Sequence, residues 1–124
     1  MYRVDVETLE GMVARAIDEL PGAFRAGLDN LAIVVEDAPS ARDYAQTATH
    51  SGTLLGVYRG VPLTARGSGY GMVLPDRIVV FQRPLEYLAG DEAHLYELVR
   101  HTVHHEIAHH FGISDARLRE LAAY

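Results

Sequence analysis

Five of the chain's seven histidines lie close together, between His101 and His110. His105 and His109 are four residues apart, so on a helix their rings project from one face, one turn from each other. Two imidazoles placed in this way can bind a single metal ion. Glu106 is rotated by about 100° from His105 on a helix, which puts its carboxylate beside such an ion and within reach of a water molecule. These three residues predict a site for metal-assisted hydrolysis.

Only one histidine pair of this region has a carboxylate in the required place. His101 and His105 are also four apart, but Thr102 follows His101, and a hydroxyl cannot act as the general base. Glu106 follows His105 alone. We expect the other histidines near this site to be exposed to solvent or hydrogen-bonded in the core: His94, His101, His104 and His110.

A third ligand is needed, because a catalytic zinc site has three protein ligands and an open position for water. Gly112 can adopt a positive φ and reverse the chain after the helix. The following segment would then return to the metal, which makes Asp115, six residues beyond His109, the predicted third ligand. Asp115 can also cap a last helix, and Glu120 is the alternative ligand.

The chain contains no cysteine, so the metal donors are limited to nitrogen and oxygen. Such a donor set suits Zn²⁺ first, and manganese, iron, cobalt or nickel can also occupy it. We therefore expect one catalytic zinc ion per chain.

The elements that position these residues indicate an α+β fold. Apolar spacing predicts an N-terminal helix over 5–20 and a short helical turn over 23–28. It also predicts a long helix over 91–111, capped by Asp91, and a closing helix over 116–124. The long helix has an apolar face formed by Leu95, Val99, Val103 and Ile107, and His105 and His109 lie at the edge of this face, where a cleft could reach them. Strands are predicted at 31–36, 52–59 and 77–82, with a loop over 37–51. The apolar run at 31–36 is typical of a central strand covered on both faces.

Together these elements predict one domain over residues 1–124. Its core would be a small mixed sheet of about three to four strands, with the N-terminal helix and the long C-terminal active-site helix packed on it.

The composition excludes several other classes of protein. With 124 residues, 48% hydrophobic and 23% charged, the chain has the size and balance of one compact globular domain. It has no apolar run of membrane-spanning length and no apolar leader at its start, so we expect a cytoplasmic protein that does not bind membranes. A net charge of −6 argues against general nucleic-acid binding. The sequence carries no signal for an oligomeric state.

The run from His105 to Asp115 resembles the zincin metallopeptidases, and within them the metzincin-type pattern HExxHxxGxx(H/D), here ending in aspartate. Two other stretches, 56–62 and 74–78, are similar to the small bacterial minimal-zincin family of predicted metallopeptidases.

This resemblance implies a zincin-like fold in which His105, His109 and Asp115 bind zinc. Glu106 would be the general base and acid in the hydrolysis of a peptide or protein substrate. The sequence departs from the metzincin pattern because no methionine follows Asp115. With so few residues after this ligand, we expect an open, shallow cleft.

Two other functions remain open. The spacing His-x3-His-x5-Asp is similar to the His-x3-His-x5-His of a bacterial family linked to ribosomal RNA maturation, although Glu106 and the acidic charge favour a peptidase. The chain could also be a metal-stabilised binding or regulatory module without turnover.

Two features of the catalytic cleft also have several candidates. An extended substrate could pair with a strand edge, at 77–82 or at 53–59. The donor that stabilises the oxyanion could be Tyr58, Tyr70 or His104.

Overall fold

The structure, a computed structural model, describes residues 1–25, 27–28, 31–46, 54–59 and 76–113. These ranges contain the following elements in chain order: α1 (Val6–Asp18), α2 (Gly22–Arg25), β1 (Leu31–Glu36), α3 (Ala41–Gln46), β2 (Gly56–Arg59), β3 (Asp76–Phe81), α4 (Gln82–Leu88) and α5 (Glu92–His110). The predicted α+β class, with an N-terminal helix and a long C-terminal helix on a mixed sheet, is confirmed. The predicted closing helix at 116–124 lies outside the described ranges.

The three described strands form one sheet in the order β1-β3-β2. β3 pairs in parallel with β1 and antiparallel with β2. The prediction that residues 31–36 form a central strand is therefore wrong for the part of the sheet that the structure describes. An apolar run indicates burial but does not identify the neighbours of a strand. β3 occupies the middle, and all its residues except Arg77 are buried.

The sheet has two apolar faces. Ile78 and Val80 point to the side on which α1 and α5 pack, whereas Val79 and Phe81 belong to a second cluster on the opposite side. The buried face of α5 is the predicted one, formed by Leu95, Val99, Val103 and Ile107. Burial of this face fixes the direction in which the rest of α5, including its histidines, points.

Both long helices begin at capping aspartates. Asp5 accepts a hydrogen bond from the Thr8 amide, and Asp91 accepts one from the His94 amide, each at 2.8 Å. These bonds satisfy amide groups that have no partner within their own helix. The predicted start of α5 at Asp91 is thus confirmed.

The end of α5 is a complete Schellman motif. Gly112 has φ 78°, the positive value predicted for it. Its amide donates to His109 O, and the Ile113 amide donates to Ala108 O, each at 2.9 Å. The helix therefore ends directly after the histidine cluster, and the chain turns away from the helix axis at Gly112.

A short helix occupies part of the segment predicted as a loop. α3 begins after Ser40, whose amide donates to Asp43 Oδ2 at 2.8 Å, while the Asp43 amide donates to Ser40 Oγ at 3.2 Å. This reciprocal pair is a capping box.

None of the helices in the described ranges is long and apolar enough to cross a membrane.

Candidate metal centre

Three of the predicted site residues come together on α5. One donor atom from each of His105, Glu106 and His109 lies within 4.8 Å of the other two. The two imidazole rings are half-buried, and their centroids are 4.5 Å apart. Two neutral imidazoles beside a carboxylate form a donor set that fits zinc or a related divalent metal.

The Glu106 side chain lies on the side of α5 that packs against β2. The residue is only 9% exposed, and its Oε1 lies 3.3 Å from Nδ1 of His109. A carboxylate in this position is beside the two imidazoles and is protected from most of the solvent. It can therefore act on a water molecule next to a bound ion.

Histidine side chains on the buried side of α5 have structural partners, as predicted. Nε2 of His104 donates to the carbonyl of Ala16 in α1 at 2.7 Å. His110 is 1% exposed, and its Nε2 donates to the carbonyl of Gly27 at 2.8 Å. Since a carbonyl only accepts, both Nε2 atoms carry a proton. These bonds hold α5 against the N-terminal part of the chain.

A buried polar cluster that the sequence did not reveal joins the sheet to the end of α5. The Tyr58 hydroxyl, on β2, donates to Oδ2 of Asp76, on β3. Nδ1 of His110 lies 3.1 Å from the same carboxylate oxygen and 3.2 Å from the Tyr58 hydroxyl. The sequence signal for this cluster is the aspartate at the start of the apolar strand β3, where a buried carboxylate needs partners.

This cluster changes the choice of oxyanion donor. The Tyr58 hydroxyl bonds within the buried cluster, and Nε2 of His104 bonds to α1, so neither group points to the metal site. Tyr70, the third candidate, lies outside the described ranges.

The two remaining histidines of α5, His94 and His101, lie along its more exposed part. Nδ1 of His94 accepts the Gly90 amide at 3.0 Å. The ring of His101 stacks near that of His105, with centroids 6.0 Å apart. Burial lowers the pKa of His101, and electrostatic repulsion from His105, when that ring is protonated, and from the Arg100 guanidinium lowers it further.

The predicted third ligand, Asp115, and its alternative, Glu120, lie outside the described ranges. The structure does describe the turn at Gly112 that leads to them.

Comparisons with known proteins were made with both sequence and fold. A family model described as zincin-like metallopeptidase matches residues 28–124, a range that contains the whole run from His105 to Asp115. A comparison with curated proteins found no match. A solved structure of a conserved hypothetical protein from T. thermophilus is similar, with a TM-score of 0.56 and 24% sequence identity over 96% of this chain and 98% of that chain. At this identity the likeness shows a shared fold only.

Proposed function

The chain belongs to the zincin-like metallopeptidase family, and from this premise we propose that it hydrolyses peptide bonds with one zinc ion. The observation that carries the proposal is the convergence of His105, Glu106 and His109 on α5, with donor atoms within 4.8 Å of one another. Three residues that are close in sequence supply both the metal donors and a base, as metal-assisted hydrolysis requires.

The metal ligands of this proposal are His105 and His109, with Asp115 as the third. Zinc bound there would polarise the substrate carbonyl and lower the pKa of water to about 7. The helix itself aligns the two imidazoles, because residues four apart lie on the same face.

Glu106 carries the proton transfers. Its carboxylate accepts a proton from the attacking water and donates that proton to the nitrogen of the leaving amine. Its 9% exposure favours this role, since few solvent molecules compete for the carboxylate.

The substrate would bind along β2 as an extended chain. Of the two strands suggested by the sequence, β3 has partners on both sides, which removes it as a binding edge. β2 is paired with β3 on one side and packs against α5 close to Glu106. Main-chain hydrogen bonds to such a strand give affinity with little selection among side chains, and this favours a peptide or unfolded protein substrate.

The test of the proposal is Glu106→Gln, which preserves the shape of the side chain and removes the base. We expect the variant to retain stoichiometric zinc and to lose cleavage of a mixed peptide library by about 10²- to 10⁴-fold. Glu92→Gln, at the exposed start of the same helix, is the matched control and should cleave like the parent protein.

Three results would contradict the proposal. Undiminished cleavage by Glu106→Gln would exclude its role as base. Stoichiometric zinc in a parent protein that cleaves no peptide would favour a metal-stabilised binding module, and salt-sensitive RNA binding would favour RNA processing.

A further inference from the structure

β2 and α5 approach each other closely at Gly56. A methyl group at this position would lie 2.6 Å from Cγ2 of Thr102, 3.1 Å from the carbonyl oxygen of Val79 and 3.7 Å from Cγ of Glu106. The first distance is shorter than a carbon atom tolerates and the second is tight, so a side chain here requires the strand or the helix to shift.

The neighbours of Gly56 have little room to move. Thr102 is 5% exposed and lies one turn before Glu106 on the same face of α5. The Val79 carbonyl belongs to the backbone of the middle strand. The separation of β2 from α5 is therefore set at the level of the Glu106 side chain.

Tyr58 provides a second attachment between the same two elements. It lies two residues beyond Gly56, so both face the same side of β2. Its hydroxyl reaches the buried cluster of Asp76 and His110. β2 is thus fixed to α5 at two points, by close packing at Gly56 and by hydrogen bonding at Tyr58.

Movement of β2 would leave the site residues of α5 in place relative to one another but would move a peptide bound to β2. His105, Glu106 and His109 all belong to α5, so they shift together and keep their mutual distances. What changes is the distance from Glu106 to the main chain of β2. A peptide paired with β2 would then be displaced relative to the base and the metal ligands.

We propose that Gly56 is a positioning residue, whose missing side chain sets the distance between Glu106 and an extended peptide held on β2. This inference rests on the proposed function, because it takes β2 to be the strand that binds the substrate. Gly56 acts through the packing of Thr102 and Glu106 and touches no reacting atom.

The experiment uses calorimetry to measure how tightly two hydroxamates bind to the zinc-loaded protein. Its readout is affinity, so it does not depend on peptide cleavage. Acetohydroxamate engages only the metal, whereas an acetylated trialanine hydroxamate also engages the strand. We expect Gly56→Ala to weaken binding of the tripeptide hydroxamate about tenfold, as loss of one or two main-chain hydrogen bonds would. Its affinity for acetohydroxamate should stay unchanged.

Two variants act as matched controls. Adding Thr102→Ser to Gly56→Ala should restore part of the affinity for the tripeptide hydroxamate, because it removes the methyl group that the new side chain meets. Gly11→Ala, on α1 with no atom within 4 Å of the new methyl, should bind both probes like the parent protein.

Several outcomes would overturn the inference. The first is an equal loss of affinity for both hydroxamates in Gly56→Ala. The second is a double variant with Thr102→Ser that recovers no affinity for the tripeptide hydroxamate. The third is a parent protein that binds the two hydroxamates equally well. If Gly56→Ala does not fold, Tyr58→Phe loosens the other attachment and must show the same selective loss. A protein that shows the selective loss but cleaves no peptide keeps the positioning role and contradicts only the peptidase activity.

Discussion

In the proposed site, Asp115 would reach the metal by a different route from the two histidines. His105 and His109 meet on one turn of α5, whereas ligation by Asp115 would depend on the change of chain direction that the positive φ of Gly112 allows. The positive φ of Gly112 is open to glycine at no steric cost, and a residue with a Cβ would be strained there.

Asp115→Ala should therefore weaken zinc binding without abolishing it. Removing a hydrogen-bond partner of a metal ligand weakens metal binding roughly 10- to 100-fold. Removing a ligand itself should weaken zinc binding by at least this factor. Competition with a chromophoric chelator, beside metal analysis of the purified variant, measures this. Glu120→Ala is the control and should bind zinc normally. The reverse pattern, with normal binding by Asp115→Ala and loss in Glu120→Ala, would identify Glu120 as the ligand.

At the scale of single elements, α3 depends on one buried carboxylate. Asp43 is 3% exposed, accepts bonds from Ser40 and pairs with Arg59 on β2. Burial acts to raise its pKa, but the bonds from Ser40 and Arg59 together outweigh burial and hold the pKa below the ordinary value of 3.8. A carboxyl whose pKa is lower in the folded state stabilises the protein above its unfolded pKa and loses this effect as the pH falls through the folded value.

Asp43→Asn should consequently lower the free energy of unfolding at pH 7. The difference from the parent protein should begin to shrink near pH 3.8, where the carboxyl of the unfolded chain gains a proton, and it should shrink further as the pH falls through the lower pKa of the folded state. Urea denaturation at a series of pH values measures both quantities. Glu10→Gln, on the exposed face of α1, should have little effect at any pH. A difference that stays constant down to acid pH would show that the charge of Asp43 is irrelevant.

The long elements could be predicted because their patterns are local. α5 has apolar residues at helical spacing, a capping aspartate at Asp91 and a glycine at its end, and each of these acts within one turn of the helix. The same periodicity places His105 and His109 on one face, so this part of the site followed from spacing alone.

Other features depend on contacts between distant residues, and the sequence could not reveal them. The six residues of α3 are too few for a clear helical period, and only the Ser40-x-x-Asp43 pattern marks its start. The middle position of β3 and the close approach at Gly56 arise from pairing between segments that are far apart in the chain. No local pattern specifies which segments will pair.

At the scale of the whole molecule, zinc should stabilise the fold. An ion that binds only the native state adds about 2.7 kcal/mol at a concentration 100 times its Kd. For a chain of this size that corresponds to a rise in Tm of roughly 10 °C. Differential scanning calorimetry with added zinc, and then with excess chelator, measures the rise and its reversal. His109→Ala, which removes one imidazole, should lose most of the rise. A full rise in this variant would place the stabilising ion elsewhere.

The placement of both imidazoles on one helix also determines when they become available during folding. A helix forms in about a microsecond from contacts within a few residues. The parallel pairing of β1 with β3 joins Leu31 to Asp76, and such long-range pairing is slow because a large loop must close first. We therefore expect the nascent chain to present His105 and His109 together before the sheet has assembled. In the proposed site, a zinc ion in the surrounding solution would meet two of its ligands before β2 and β3 have paired.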